Sequence, residues 1–419
     1  MAFAAACSSS ATVEEGAVDE RDAAAATAEP VTPPTPEATA TPEATSTPVP
    51  TATPEPTPTP VPTVTPVPDG TPAVLSGDGW TLTEAEVEPL IDFVETLHEL
   101  EFVRPVRVEQ SDDIGAGFAE DLEIFADDDW QLLELLGLID EGVERDAVNE
   151  ARRDRIRGVC CDADEDGLIV IVEPQATELE TKVIVVHELV HALHRDHPDI
   201  VSRPGRSGGF ELPSTYTATF ESVAQFVAFA YLDSQPEAER LLVEPELPIV
   251  DAELAAIAGR VPGEMLDFSY FTAPAMAEAA YDALGAQGLS DLLGRPPTTT
   301  EQVIFPDRWL AEEDRVSQDR PLLPGAAQLQ DEGRVGVALL GWMLEGLVDD
   351  VEIEALLREW TGDRWARYRL GPRECLGVVA EFDSLASAEQ VANALQATQP
   401  SVAMVDGEPR FTFDTCAEV

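Results

Sequence analysis

Thr181–His197 reads TKVIVVHELVHALHRDH and contains four of the five histidines in the chain. On a helix, His187 and His191 stand one turn apart and project from the same face, with Glu188 about 100° around the axis. This is the HExxH spacing, in which two neutral imidazoles hold a zinc ion and the glutamate activates water at the metal. Val183, Val186, Val190 and Leu193 form an apolar stripe and Leu189 widens it, so a buried helix is expected. The β-branched run ahead of His187 favours a strand locally, which would make the helix start late. The bland alternative is a structural histidine cluster or a zinc site without activity.

A third ligand is sought downstream. Tyr216–Leu232, YTATFESVAQFVAFAYL, is nearly all apolar apart from Glu221, Ser222 and Gln225. Burying an unpaired carboxylate costs about several kcal/mol, so Glu221 must either keep a proton or meet a cation. Zinc would be that cation, which makes Glu221 the expected third ligand on a second helix, the gluzincin plan. Gln225, one turn later, is placed to hydrogen-bond a ligating imidazole. Glu221 as a helix-surface carboxylate is the competing reading. His197 is the rival ligand, six residues after His191 as in HExxHxxGxxH, but His194 fills the position where glycine lets the chain turn. If His197 is not a ligand, His194 and His197 are read as polar residues at the helix end.

The rest of the chain bounds the setting. Glu29 to Pro72 is almost only Thr, Pro, Ala, Val and Glu, which reads as an extended, polyproline-like stalk. Ahead of it, Ala4-Ala5-Ala6 before Cys7 resembles the end of a bacterial lipoprotein signal, so a lipid on Cys7 and an extracytoplasmic, cell-surface location are expected. No stretch is long and apolar enough for a membrane span. The formal charge of −56, from 81 acidic against 25 basic residues, excludes a nucleic-acid-binding role. Cys375 and Cys416 are the preferred disulfide pair, and the adjacent Cys160 and Cys161 are either bridged or free thiols. DADEDGLIVIVE, from Asp162 to Glu173, fits a calcium-loop pattern letter for letter. Its second half is nevertheless a β-branched run closed by Pro174, which favours an acidic turn and a strand. A strand just before the HExxH helix is where an extended substrate would pair.

Several segments occur in an order that resembles a family of bacterial exported or lipid-anchored zinc metallopeptidases with a gluzincin-type site. HELVHALHRDHP matches the hallmark helix HELTHALQDQHF, and TFESVAQF matches the following LVEGDA helix loosely, with Ser222 and Val223 in place of glycine and aspartate. PPTTTEQVIFPDRWL resembles PPTSTEQILHPEKY, keeping Glu301 and Gln302 but carrying Phe305 where the family has histidine. REWTGDRW keeps Gly362, Asp363 and Arg364 of another family segment. FSYFTAPAMAEAAY resembles the aromatic segment of the family, and that resemblance places Tyr270 near the site as a candidate oxyanion donor. The likeness covers roughly Leu100 to Phe413.

The expected fold is therefore α+β: a lipoprotein-like N-terminus and stalk over 1–75, a predominantly helical zincin-like metallopeptidase domain with a small sheet over 76–372, and a small C-terminal β-α-β segment over 373–419. The expected function is a cell-surface zinc metallopeptidase acting on peptides or proteins. It would have His187, His191 and Glu221 on Zn2+, Glu188 as general base and Tyr270 as a second catalytic group. A zinc amidase acting on cell-wall peptides and a non-catalytic surface module with a structural zinc stay open as alternatives.

Overall fold

The computed structural model describes residues 4–5, 82–111, 114, 127–140, 142–153, 156–164, 167–175, 177–202, 210–243, 264–265, 268–313, 315 and 319–418. The chain divides into two units, residues 9–62 and the remainder, and the first of these lies outside the described residues together with Cys7 and the stalk. In chain order the elements begin with β1 (Ala4–Ala5), α1 (Glu84–His98), β2 (Val106–Gln110), α2 (Asp127–Leu136) and α3 (Arg145–Arg153). They continue with β3 (Ile156–Asp164), β4 (Gly167–Val172), α4 (Glu178–Asp196), α5 (Glu211–Asp233) and α6 (Glu237–Val243). A π-helical turn (Phe268–Thr272) leads into α7 (Pro274–Leu284), α8 (Ala286–Gly294), α9 (Thr300–Ile304) and α10 (Pro306–Leu310). The last part is β5 (Gln328–Gly333), α11 (Gly336–Leu344), α12 (Asp350–Arg358), β6 (Trp360–Leu370), β7 (Arg373–Phe382), α13 (Leu385–Leu395), β8 (Ala403–Met404) and β9 (Arg410–Glu418). The architecture is α+β, with two small sheets.

The first sheet has the order β1-β3-β4-β2. β3 and β4 form an antiparallel hairpin, and β2 lies parallel to β4. Within Asp162–Glu173 the described residues are therefore the end of β3 and the whole of β4, followed by Glu173. The residue at the glutamate position of the calcium-loop pattern, Glu173, pairs with Arg157 at 2.9 Å. β4 has β2 on one side and β3 on the other, so it is interior and cannot accept a further strand. β3 meets β1 only at Ile156 and Gly158, which leaves the rest of its outer edge unpaired among the described residues.

α4 lies on this sheet against β3 and β4, and α5 packs on its other side. The β-branched run ahead of His187 is helical, and the helix starts early: Thr177 is its N-cap, its side chain accepting the Glu180 N–H at 3.1 Å. Burial overrides the local preference of Val183–Val186, because α4 is enclosed all round from Val183 to His194 and not along one stripe. At its end Asp196 accepts the Val103 and Arg104 N–H groups and pairs with the Arg104 guanidinium at 2.7 Å, which fixes the chain entering β2.

The second sheet, β5-β6-β7-β9-β8, is antiparallel throughout. β7 pairs with β6 along its length, so the sheet runs across residue 373, where the C-terminal segment was expected to begin. One buried apolar cluster is continuous from Leu90 on α1 to Phe413 on β9. Cys375 and Cys416 face each other in register on β7 and β9 and are joined by a disulfide, the preferred pair. Cys160 and Cys161 are bonded to each other.

Candidate metal centre

The packing of α4 on α5 brings three polar side chains to one buried point. His187 and His191 come from the middle of α4 and Glu221 from the middle of α5, and each is at most 4% exposed. His187 Nε2 lies 3.1 Å from Glu221 Oε2, His191 Nε2 lies 3.4 Å from the same oxygen, and the two Nε2 atoms are 3.1 Å apart. At most one proton can sit between two imidazole nitrogens, so three converging lone-pair atoms in a dry interior call for a positive centre among them. The edges also have the right size. Donors about 2.0–2.1 Å from a tetrahedral ion stand about 3.3–3.4 Å from one another. His187, His191 and Glu221 therefore form a buried group that can hold a metal ion, and three donors is the number that leaves a tetrahedral position open.

The charges support the same grouping. Burial works against ionisation of Glu221, but the adjacent His191 and His187 rings outweigh it and bring the carboxyl down to about 2. Burial lowers the His187 pKa, keeping its ring neutral and available as a ligand. Gln225, expected to hydrogen-bond a ligating imidazole, lies near His187 and favours its charged form. Their contact is nonetheless longer than a full hydrogen bond, since His187 Nδ1 and Gln225 Oε1 have no partner within bonding distance.

Glu188 points from α4 toward β3. It is 2% exposed, and burial, reinforced by the charge of Glu221, pushes its carboxyl up to about 8 against the pull of His191 and of the nearby Cys160 backbone. Its Oε2 is buried with no hydrogen-bond partner. Tyr270 sits on the π-helical turn packed against α5, with its ring centroid 6.2 Å from that of His187.

His197 is not part of the group. It caps α4, and its Nε2 bonds the Glu101 carbonyl at 2.8 Å, so the chain does not turn its ring back toward His191. His197 is thus a polar residue at the helix end, and His194 lies in the last turn of α4 but is buried. His194 is 2% exposed and packs edge-on against His98 and Phe220, because α1 and α5 cover that face of α4. Phe305 is a core residue beneath the Arg358 guanidinium. Glu301 is buried between Arg308 and Arg315 at 3.7 and 3.9 Å. Gly158 on β3, in contact with Glu188, was missed by reading the sequence. Its signal was a glycine inside a strand, between Arg157 and Val159.

Compared with protein-family models, curated proteins and solved structures, the chain matches none.

Proposed function

We propose that this protein is a zinc-dependent metallopeptidase, held at the cell surface through Cys7, that hydrolyses peptide bonds in peptides or proteins. The observation that carries this reading is a buried carboxylate with a free oxygen, Glu188, one residue from a three-donor group. A structural zinc usually takes four protein ligands; a catalytic zinc takes three and keeps one position for water or substrate.

His187, His191 and Glu221 would hold the ion. When bound, zinc supplies a Lewis acid that polarises a carbonyl and acidifies water. Glu188 takes up the proton at Oε2 and returns it to the departing amine. Tyr270, beside His187, donates its phenolic proton to the oxygen on which charge develops. The chain of an extended substrate pairs along the outer edge of β3, the strand that holds Glu188, and not along β4, whose two sides are taken.

The test is Glu188→Gln, assayed for zinc content and for cleavage of a peptide library. Zinc is expected to stay bound while hydrolysis falls ~10²–10⁴-fold. Equal cleavage by the variant would remove Glu188 as the base. A zinc-loaded wild-type protein that cleaves nothing would reduce the site to a staple between α4 and α5, and cleavage confined to cell-wall amide links would make the enzyme an amidase.

A further inference from the structure

We propose that Gly158 is a positioning residue that sets where the Glu188 carboxylate stands, an inference that rests on Glu188 being the base. Glycine inside a strand loses more backbone entropy on folding than other residues and contributes no packing side chain. Gly158 is not at a turn. It is paired with Val172 in the β3–β4 ladder and with Ala5 of β1, and its φ is not in the left-handed region, so backbone conformation does not demand glycine. Space does. A methyl group at this position would stand 2.6 Å from Glu188 Oε1, 2.7 Å from Cγ and 2.9 Å from Cδ, all closer than non-bonded atoms approach. The three nearest atoms all belong to Glu188, so a methyl group displaces that side chain and leaves the α4 backbone in place.

Two residues further along the strand, the Cys160 backbone lies near enough to the same carboxylate to favour its charged form. β3 thus meets Glu188 at a bare α-carbon that makes room for its carboxylate. Both elements are buried at the contact, with Val159 and Leu189 at most 1% exposed, so neither backbone is free to adjust. The position of Glu188 relative to His187 and His191 is fixed from outside α4.

The experiment is a double-mutant cycle of Gly158→Ala and Glu188→Ala in the full chain, read by thermal unfolding and zinc affinity as well as by turnover. Gly158→Ala alone is expected to lower Tm by about 2–4 °C, to leave zinc affinity within about threefold, because the ligands are not displaced, and to lower kcat by ~100-fold at unchanged KM. With Glu188 truncated the methyl group has room, and the Tm cost of Gly158→Ala should vanish. If Gly158→Ala does not fold, the double variant should. Absence of hydrolysis in the zinc-loaded wild-type protein, with the Tm coupling present in the variants, would sink the peptidase reading and leave the steric contact standing. An equal Tm cost in both backgrounds, failure of both variants to fold, or an unchanged kcat in Gly158→Ala would overturn the positioning role.

Discussion

At the scale of single residues, the centre depends on a carboxylate and two imidazoles whose donor atoms lie 3.1–3.4 Å apart. Glu221 was legible because a lone carboxylate in an apolar helix must have a cation or a proton, and nothing else in that run supplies either. The choice between Glu221 and His197 was not legible, because it turns on whether the chain bends after His191, and here α4 continues to Asp196. Gly158 was missed for a different reason: a glycine inside a strand marks a close approach without naming the partner, and its contact is with a residue thirty positions away on another element. Tyr270 is buried beside His187, and its proposed role is transition-state donation, not metal binding. Tyr270→Phe is accordingly expected to lower kcat by ~10²–10³-fold with zinc affinity intact; an unchanged kcat would return Tyr270 to the core.

At the scale of elements, α5 is joined to the C-terminal half by buried carboxylates at helix starts. Glu211, the first residue of α5, accepts the backbone N–H of Thr300 at 2.6 Å, the first residue of α9. Asp363 of β6 accepts the N–H groups of Val335 and Gly336 at the start of α11. Burial pushes Glu211 up to about 8, with the Asp363 charge adding to it, and pushes Asp363 up to about 6. Both groups keep their protons to higher pH in the folded chain than in the unfolded one, so folding binds protons. Their stabilisation is complete below about pH 4, the ordinary carboxylate range, and is lost as pH rises through about 6 and then about 8. The Tm of zinc-saturated protein should therefore fall between pH 5 and 8. Glu211→Gln, which imitates the protonated acid, should flatten the upper part of that decline; an unchanged slope would show that Glu211 is ionised in the fold. The disulfide between β7 and β9 was legible from cysteine placement, and the Leu168–Val172 strand from its β-branched run. The interior position of β4 was not, because strand order depends on which distant segments pair.

At the scale of the whole molecule, one continuous core ties both sheets to the helix pair that carries the centre, and the rigidity of the site follows from that enclosure. The α+β class was visible in the alternation of helical and strand-like segments. The extent of the second sheet was not, since β5 and β6 carry polar and aromatic residues that acquire meaning only when β7 and β9 lie beside them. Enclosure also means that a bound ion stabilises the fold, because the unfolded chain has no preformed site. The most direct measurement is the zinc content of purified wild-type protein beside Glu221→Gln, with thermal unfolding before and after chelation. One zinc per wild-type chain is expected, with little in the variant and a drop in Tm on chelation that added zinc reverses. Metal-free wild-type protein that takes up no zinc, or equal zinc in both proteins, would contradict the assignment of His187, His191 and Glu221.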